Sequence, residues 1–269
     1  MSLSLINRAS FKRVWQGLAA VAAVILLWHV ASVTGLFGRI APEYCDLLLP
    51  TPAKVAQTIV AMLKSGYLLD NLLVSLVRVG ISFGLAILIG VPLGVGMAVN
   101  DTTRNLAQPF VRFFSPIPAL AWVPLAILWF GLGDQAAIFI VTLAAVFPII
   151  FSTIQGVHDI DRHLLDAARM MGADSCQVFR RVMMPSLAPY LVTGFRNGMS
   201  NAWRVVVAAE MVGVPKGIGY MLTVGRGTGE TGVTIVTIIV LGVVMLVVEE
   251  LIFGPLENRT RFWRSGGNG

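Results

Sequence analysis

Six apolar runs dominate this chain, and each is long enough to cross a bilayer. A spanning helix needs about 20 predominantly apolar residues. Gly17–Phe37, Leu72–Val99, Phe113–Leu132, Ala136–Ile154, Leu187–Val214 and Thr234–Phe253 meet that length. In hydrocarbon every backbone N–H and C=O must be satisfied within the chain, so runs of this kind form helices. Only 13% of residues are charged and the mean hydropathy is +0.80, against about 25% charge in a soluble domain. The expected fold class is all-α integral membrane: six transmembrane helices in a single transmembrane domain over residues 1–269.

The formal charge of +6 does not point to nucleic acid. The basic residues sit in short clusters between the apolar runs, where they act as topology signals. The N-terminus, the stretch with Arg104 and Arg112, the Arg162–Arg181 segment and the C-terminal tail hold twelve Lys and Arg; the intervening loops hold five, namely Arg39, Lys54, Lys64, Lys216 and Arg226. That bias places both termini in the cytoplasm, as an even number of spans requires. The first run follows Lys12 and Arg13 but is too long for a signal h-region and has no Ala-x-Ala site after it, so it reads as a retained helix. Cys45 and Cys176 fall on opposite sides of the membrane in this topology and cannot pair within one chain. His29, His158 and His163 are scattered without companion ligands, and no metal site is expected.

Thr51-Pro52 marks a helix start in the first external loop, with Thr as N-cap and Pro at the first helical position. Val55, Ile59, Met62 and Leu63 then follow at helical spacing, which predicts an amphipathic helix. The second span holds two GxxxG pairs, Gly80/Gly84 and Gly90/Gly94, and Pro92. The third holds Pro116, Pro118 and Pro124. Such spacing allows close helix approach in lipid. Three prolines either kink an ordinary packing helix or bend it to line a translocation path.

A polar segment at about residues 156–186 interrupts this membrane chain. Its first helix runs from about Asp161 to Met171 and stops at Gly172. The second starts at Asp174, with Gln177 completing a capping box, and is expected to end at Pro185. Ala167, Ala168 and Gly172 give the first helix a small-residue surface that a groove in another protein can grip. A pore has no use for such an insert, whereas a membrane subunit driven by another protein does.

The fifth span carries a polar stripe. At about 100° per residue, Arg196, Asn197, Ser200, Trp203, Arg204 and Glu210 fall within one arc. Charge at bilayer depth usually faces a bundle interior, so the stripe reads as a cavity lining in which Arg204 or Arg196 favours an anion. The alternative is that Arg196 snorkels to the cytoplasmic face to brace the polar segment, while Arg204 and Glu210 pair elsewhere and hold the bundle.

Asp166-Ala167-Ala168, Gly172, Val182, Met184 and Pro185 resemble the cytoplasmic-loop signature of bacterial ABC importer permeases, with Asp, Val and Met in place of its Glu, Ile and Leu. Leu49-Pro50-Thr51-Pro52, Ser75-Leu76-Val77-Arg78-Val79, the stretch from Pro116 to Leu125, Trp129-Phe130-Gly131-Leu132-Gly133, Gly194-Phe195-Arg196, Ala202-Trp203 and Ala208-Ala209-Glu210 are similar to the nitrate/taurine/alkanesulfonate-type permeases. The resemblance covers nearly the whole chain from about residue 45. It implies a type I importer permease that pairs with a second copy as a homodimer in the bacterial inner membrane. It also implies two cytoplasmic ATP-binding subunits, which bind the ATP and Mg²⁺, and an external solute-binding protein. Coupling to the ATPase would fall on Asp166, Ala167, Ala168, Gly172, Met184 and Pro185. The solutes implied are small anions such as nitrate, sulfonates, taurine or bicarbonate; pyrimidine-type vitamin precursors are the alternative.

None of the four lysines follows a glycine, so no GxxxxGK[ST] phosphate loop exists and ATP must act through another polypeptide. No Ser-His-Asp, paired-carboxylate or Cys-His set is placed for catalysis, and the chain is expected not to be an enzyme. Secondary transporters often carry inverted repeats; the polar insert has no counterpart in the first half of this sequence.

Overall fold

The computed structural model describes residues 3–34 and 49–264, with side chains from Trp15 on except Leu18 and the last four residues. Phe37, Arg39 and Cys45 lie outside the described residues. Every regular element among the described residues is helical. The helices are α1 (Leu3–Val33), α2 (Pro52–Lys64), α3 (Tyr67–Val99), α4 (Asp101–Phe114), α5 (Val123–Phe130), α6 (Asp134–His158), α7 (Arg162–Met170), α8 (Ser175–Val178), α9 (Met184–Gly213), α10 (Ile218–Thr228), α11 (Thr231–Val248) and α12 (Gly254–Arg264). Among the described residues four apolar helical stretches are long enough to span a membrane, and the number is six when each of two sharply bent helix pairs is counted as one span.

The chain forms two compact units, residues up to 68 with 222–238, and 69–221 with the remainder. In the first unit Thr51 caps α2, its hydroxyl accepting from the Lys54 N–H, and Pro52 opens the helix. Val55 and Met62 are buried while Leu63 is exposed. Trp28 and Ser32 of α1 donate to the carbonyls of Pro50 (3.2 Å) and Leu49 (2.7 Å), so the chain leading into α2 is fastened to α1.

In the second unit α6 and α9 form the central pair. A Cβ on Gly194 would stand 2.7 Å from that of Ser152, and one on Gly198 3.1 Å from the Ala145 carbonyl; glycine is what lets these backbones approach. Helix α3 packs through Gly90 and Gly94, whose added Cβ atoms would meet Ile149 and Thr153 of α6. The other pair, Gly80/Gly84, meets nothing within 4 Å. Phe83 of α3 also meets Phe195 of α9 edge-on at 6.0 Å. Outward residues such as Leu88, Val243 and Leu246 are apolar and exposed, as on a surface made for hydrocarbon.

Two expectations fail. The third span is not one helix from Phe113 to Leu132. Helix α4 ends at Phe114, a 3₁₀ turn occupies Ala119–Trp122, and the two arms meet at 91°. Ser115 still has helical dihedrals and its N–H donates to the Val111 carbonyl at 3.0 Å, but Pro116 and Pro118 lack N–H donors and disfavour helix before them, and the chain is extended at Pro118, ψ 132°. Pro124 breaks nothing because it sits in the first turn of α5. Pro185 likewise does not end the second helix of the polar segment. Helix α8 passes through a π-turn, Phe179–Met183, directly into α9, with Pro185 in the first turn of α9. The Met184 N–H reaches back five residues to the Phe179 carbonyl. This widened turn lets the chain pass proline without stopping.

Candidate functional site

Asp161 caps α7, its carboxylate accepting from the His163 N–H at 2.9 Å. The capping box forms as expected: Asp174 accepts from the Gln177 N–H at 2.7 Å and Gln177 accepts from the Asp174 N–H at 3.3 Å. Gly172 has φ +83°, a left-handed conformation that glycine adopts without strain, and its N–H closes the turn on the Arg169 carbonyl. Asp166 is exposed beside Arg169, Ala167 half-buried, Met184 exposed and Pro185 half-buried. Ala168 differs from the expectation of a small-residue docking face: it is 5% exposed and packed into the chain itself. The outward apolar groups are Leu164, Met170 and Met171, the last two more than four-fifths exposed. The sequence reading missed them because three apolar residues in a polar helix look like its buried side. Just before α7, Gln155 donates to Asp159 at 3.0 Å. This bond, with one from Tyr190, holds that carboxyl below the usual carboxylate range.

The α9 stripe divides. Arg204 is exposed and donates to Ser200 at 2.9 Å; Asn197 is exposed next to them. Trp203 is buried, its indole N–H donating to the Leu241 carbonyl at 3.0 Å. Glu210 is 1% exposed. Trp203 and Glu210 therefore do not line an open face with Arg204: the arc straddles the boundary between buried and open sides of α9. Arg196 pairs with Glu249 and, at 3.0 Å, with Glu257, so it braces the C-terminal helix rather than the polar segment. Glu249 opens a second π-turn, Glu249–Phe253. Eight residues on a regular helix leave two side chains roughly 80° apart; the extra residue of a π-turn takes back roughly 100°. The turn is what brings both carboxylates to one guanidinium.

Sequence reasoning also missed what Glu210 joins. Arg78 of α3, 4% exposed, donates to Glu210 at 2.6 Å, twice to Asp134 of α6 at 2.6 and 2.8 Å, and to the Lys216 carbonyl at 2.8 Å. Glu210 also accepts from Ser75 and the Gly219 N–H, Ser75 accepts from the Ile218 N–H, and Asn71 accepts from the Gly217 N–H. A Cβ on Gly217 or Gly219 would overlap Glu210. This cluster pins the backbone where α9 turns by 52° into α10. The signal was present: two opposite charges in separate apolar spans are expected to find each other.

Each unit holds a cavity of its own. One of about 320 Å³ opens at the α4–α5 break, between Ser115–Ala119, α6 and the Asn201 and Val205 positions of α9. The other, about 630 Å³ in the first unit, lies between α2 and Thr228–Val233 and is lined by Lys54, Gln57, Thr58 and Glu230 among others.

Residues 86–260 match the family described as binding-protein-dependent transport system inner membrane component. The chain is 32% identical over 225 residues to a probable ABC transporter permease protein of Brucella melitensis, covering 84% of this chain and 87% of that one. It is 28% identical over 257 residues to the taurine transport system permease protein of Escherichia coli, covering 94% and 90%. A putative aliphatic sulfonates transport permease protein of Bacillus subtilis is 28% identical over 254 residues, covering 94% and 89%. In fold the chain is similar to one from inward-facing structures of the MetNI methionine ABC transporter, with a TM-score of 0.58 and 24% identity over 70% of this chain and 92% of that one. The chain belongs to the binding-protein-dependent inner membrane component family and is a permease of the ABC importer type.

Proposed function

We propose that this member of the family is the subunit through which a small anionic solute, of the class named for its sulfonate and taurine relatives, crosses the inner membrane by alternating access. In this reading two copies pair, both termini face the cytoplasm, and two separate ATP-binding subunits supply the energy. An external solute-binding protein delivers the solute to the face bearing the polar cavity of α2. The observation that carries the reading is the unbroken path from the capping box at Asp174 through the π-turn to the end of α9. A partner that moves α8 moves the helix bearing Asn197, Ser200 and Arg204. Asp166, Ala167, Gly172, Met184 and Pro185 stay assigned to coupling, joined by Leu164, Met170 and Met171 as its apolar contact. Asn197, Ser200 and Arg204 stay on the path.

Gly172→Arg tests this. An added Cβ meets nothing within 4 Å, so the cost to the fold is the left-handed backbone alone, about 1 kcal/mol. Uptake into proteoliposomes holding the full complex should fall to background and the ATP-binding subunits should co-purify poorly, while the permease keeps its helix content. Wild-type uptake by this variant would remove the loop from the coupling path.

A further inference from the structure

We propose that the cleft at the α4–α5 break binds the apolar body of a small organic solute, so that the chain itself favours organic anions over an inorganic oxyanion such as nitrate. The inference rests on the permease reading above and gives its path a site. A cavity of about 320 Å³ is at the lower end of small-ligand sites, roughly 300–1,000 Å³. Its apolar walls include Phe147 and Phe151 of α6, and its polar side chains are Ser115 and Asn201.

Many polar groups elsewhere in the spans are satisfied internally. Thr142, Thr153, Thr193 and Thr237 donate to carbonyls one turn back, Ser82 to the Ile138 carbonyl, and Trp203 to that of Leu241. Ser115 and Asn201, the two that line this cleft, form no such bond, and on the same break the buried Trp122 indole N–H has no partner. Unpaired polar groups in a membrane domain mark where water or a polar solute goes.

The lining holds no ionisable residue. An inorganic oxyanion entering it would exchange its hydration for two neutral groups, a losing exchange. An alkyl or aryl body gains by leaving water there. Arg204 lies three residues beyond Asn201, a neighbouring position on the helix surface, and is exposed with its guanidinium bonded to Ser200. An acidic head at Arg204 and an apolar body between the two phenylalanines accounts for both features.

The test uses the full chain with its ATP-binding subunits in nanodiscs, with Cys45→Ser and Cys176→Ser as background. Ala144→Cys places a thiol in the cleft, with Val205→Cys as the second position should the first not assemble. Labelling by a small charged methanethiosulfonate is timed with nitrate, methanesulfonate or butanesulfonate present. Half-protection should need about four-fold less probe per added methylene, nitrate should not protect, and Asn201→Leu should weaken protection by butanesulfonate. Equal protection by nitrate, no dependence on chain length, or a thiol unreactive without any probe overturns the proposal. Because the ATP-binding subunits co-purify or do not in the same preparation, loss of the permease reading is scored separately from loss of this site.

Discussion

Replacing Arg78 by methionine gives the sharpest test of the cluster at the end of α9. Methionine keeps the stem volume and removes four hydrogen bonds, two of them to Asp134, one to Glu210 and one to the Lys216 carbonyl. Asp134 is 65% exposed and is resolvated. Glu210 is not: at 1% exposure its carboxylate is left with Ser75 and the Gly219 N–H. Removing one partner of a buried ion pair costs about 3–5 kcal/mol, against about 0–1 kcal/mol for an exposed pair. Glu210→Gln is milder. The amide oxygen still accepts from Ser75 or Gly219, and Arg78 keeps Asp134 and Lys216, so the loss is about 1–2 kcal/mol.

The double variant removes both charges and should lie below the sum of the singles by about 1–3 kcal/mol. Equilibrium unfolding of the full chain in mixed micelles, followed by tryptophan fluorescence, measures all three. Hydrogen exchange at Gly217–Gly219 should quicken in Arg78→Met, because the amides of that turn are held by the cluster. A loss under about 1 kcal/mol for Arg78→Met, or additivity in the double variant, would show that the cluster does not hold this turn.

Three further outcomes follow from the geometry. Arg196→Glu should loosen α12, seen as faster proteolysis of the C-terminal helix, and Glu249→Arg in the same chain should restore part of the protection; no restoration would refute the π-turn as the device that aligns Glu249 with Arg196. Cys176, free and exposed on α8, should react with a membrane-impermeant maleimide in inside-out vesicles and not in right-side-out ones; the reverse pattern inverts the topology. Arg204→Gln should lower uptake several-fold while the ATP-binding subunits still co-purify, and Arg204→Lys should recover part of it; unchanged uptake in Arg204→Gln removes that residue from the path.

What the sequence made legible was local. The Thr51-Pro52 start, the Gly172 stop and the Asp174–Gln177 capping box each depend on residues within one turn, and each is found in place. Hydropathy located the six apolar stretches for the same reason. It missed the break at Ser115–Pro118 because summed hydropathy does not register two absent N–H donors. Pro185 was misread because proline both follows helices and opens them; the sequence does not say which until the π-turn is seen. Trp203 and Glu210 were grouped with the open face of α9 for a third reason. A helical wheel gives angles between residues but not which edge faces the core, and that was decided by Arg78, 132 residues away in the chain.

The anchor at Glu210 also limits how α9 can move. The helical path from Ser175 to Gly213 is about 58 Å long at 1.5 Å per residue. Glu210 is fixed near one end by Arg78, Ser75 and Gly219, and the polar segment lies at the other. Arg204 is only about 9 Å from the anchor, and Ser175 about 52 Å. If the rod tilted about Glu210, a displacement of about 5 Å at Ser175 would reach Arg204 as about 1 Å by the ratio of those lengths. That is too small to admit a solute. A passage at Arg204 must therefore open by the movement of α3, α6 and α9 together, carrying the Arg78 cluster with them. The close glycine contacts of Gly90, Gly94, Gly194 and Gly198 suit helices that move as one body. Paired spin labels on α6 and α9 should then keep their separation through the ATP cycle, and a change of several ångströms between them would contradict this constraint.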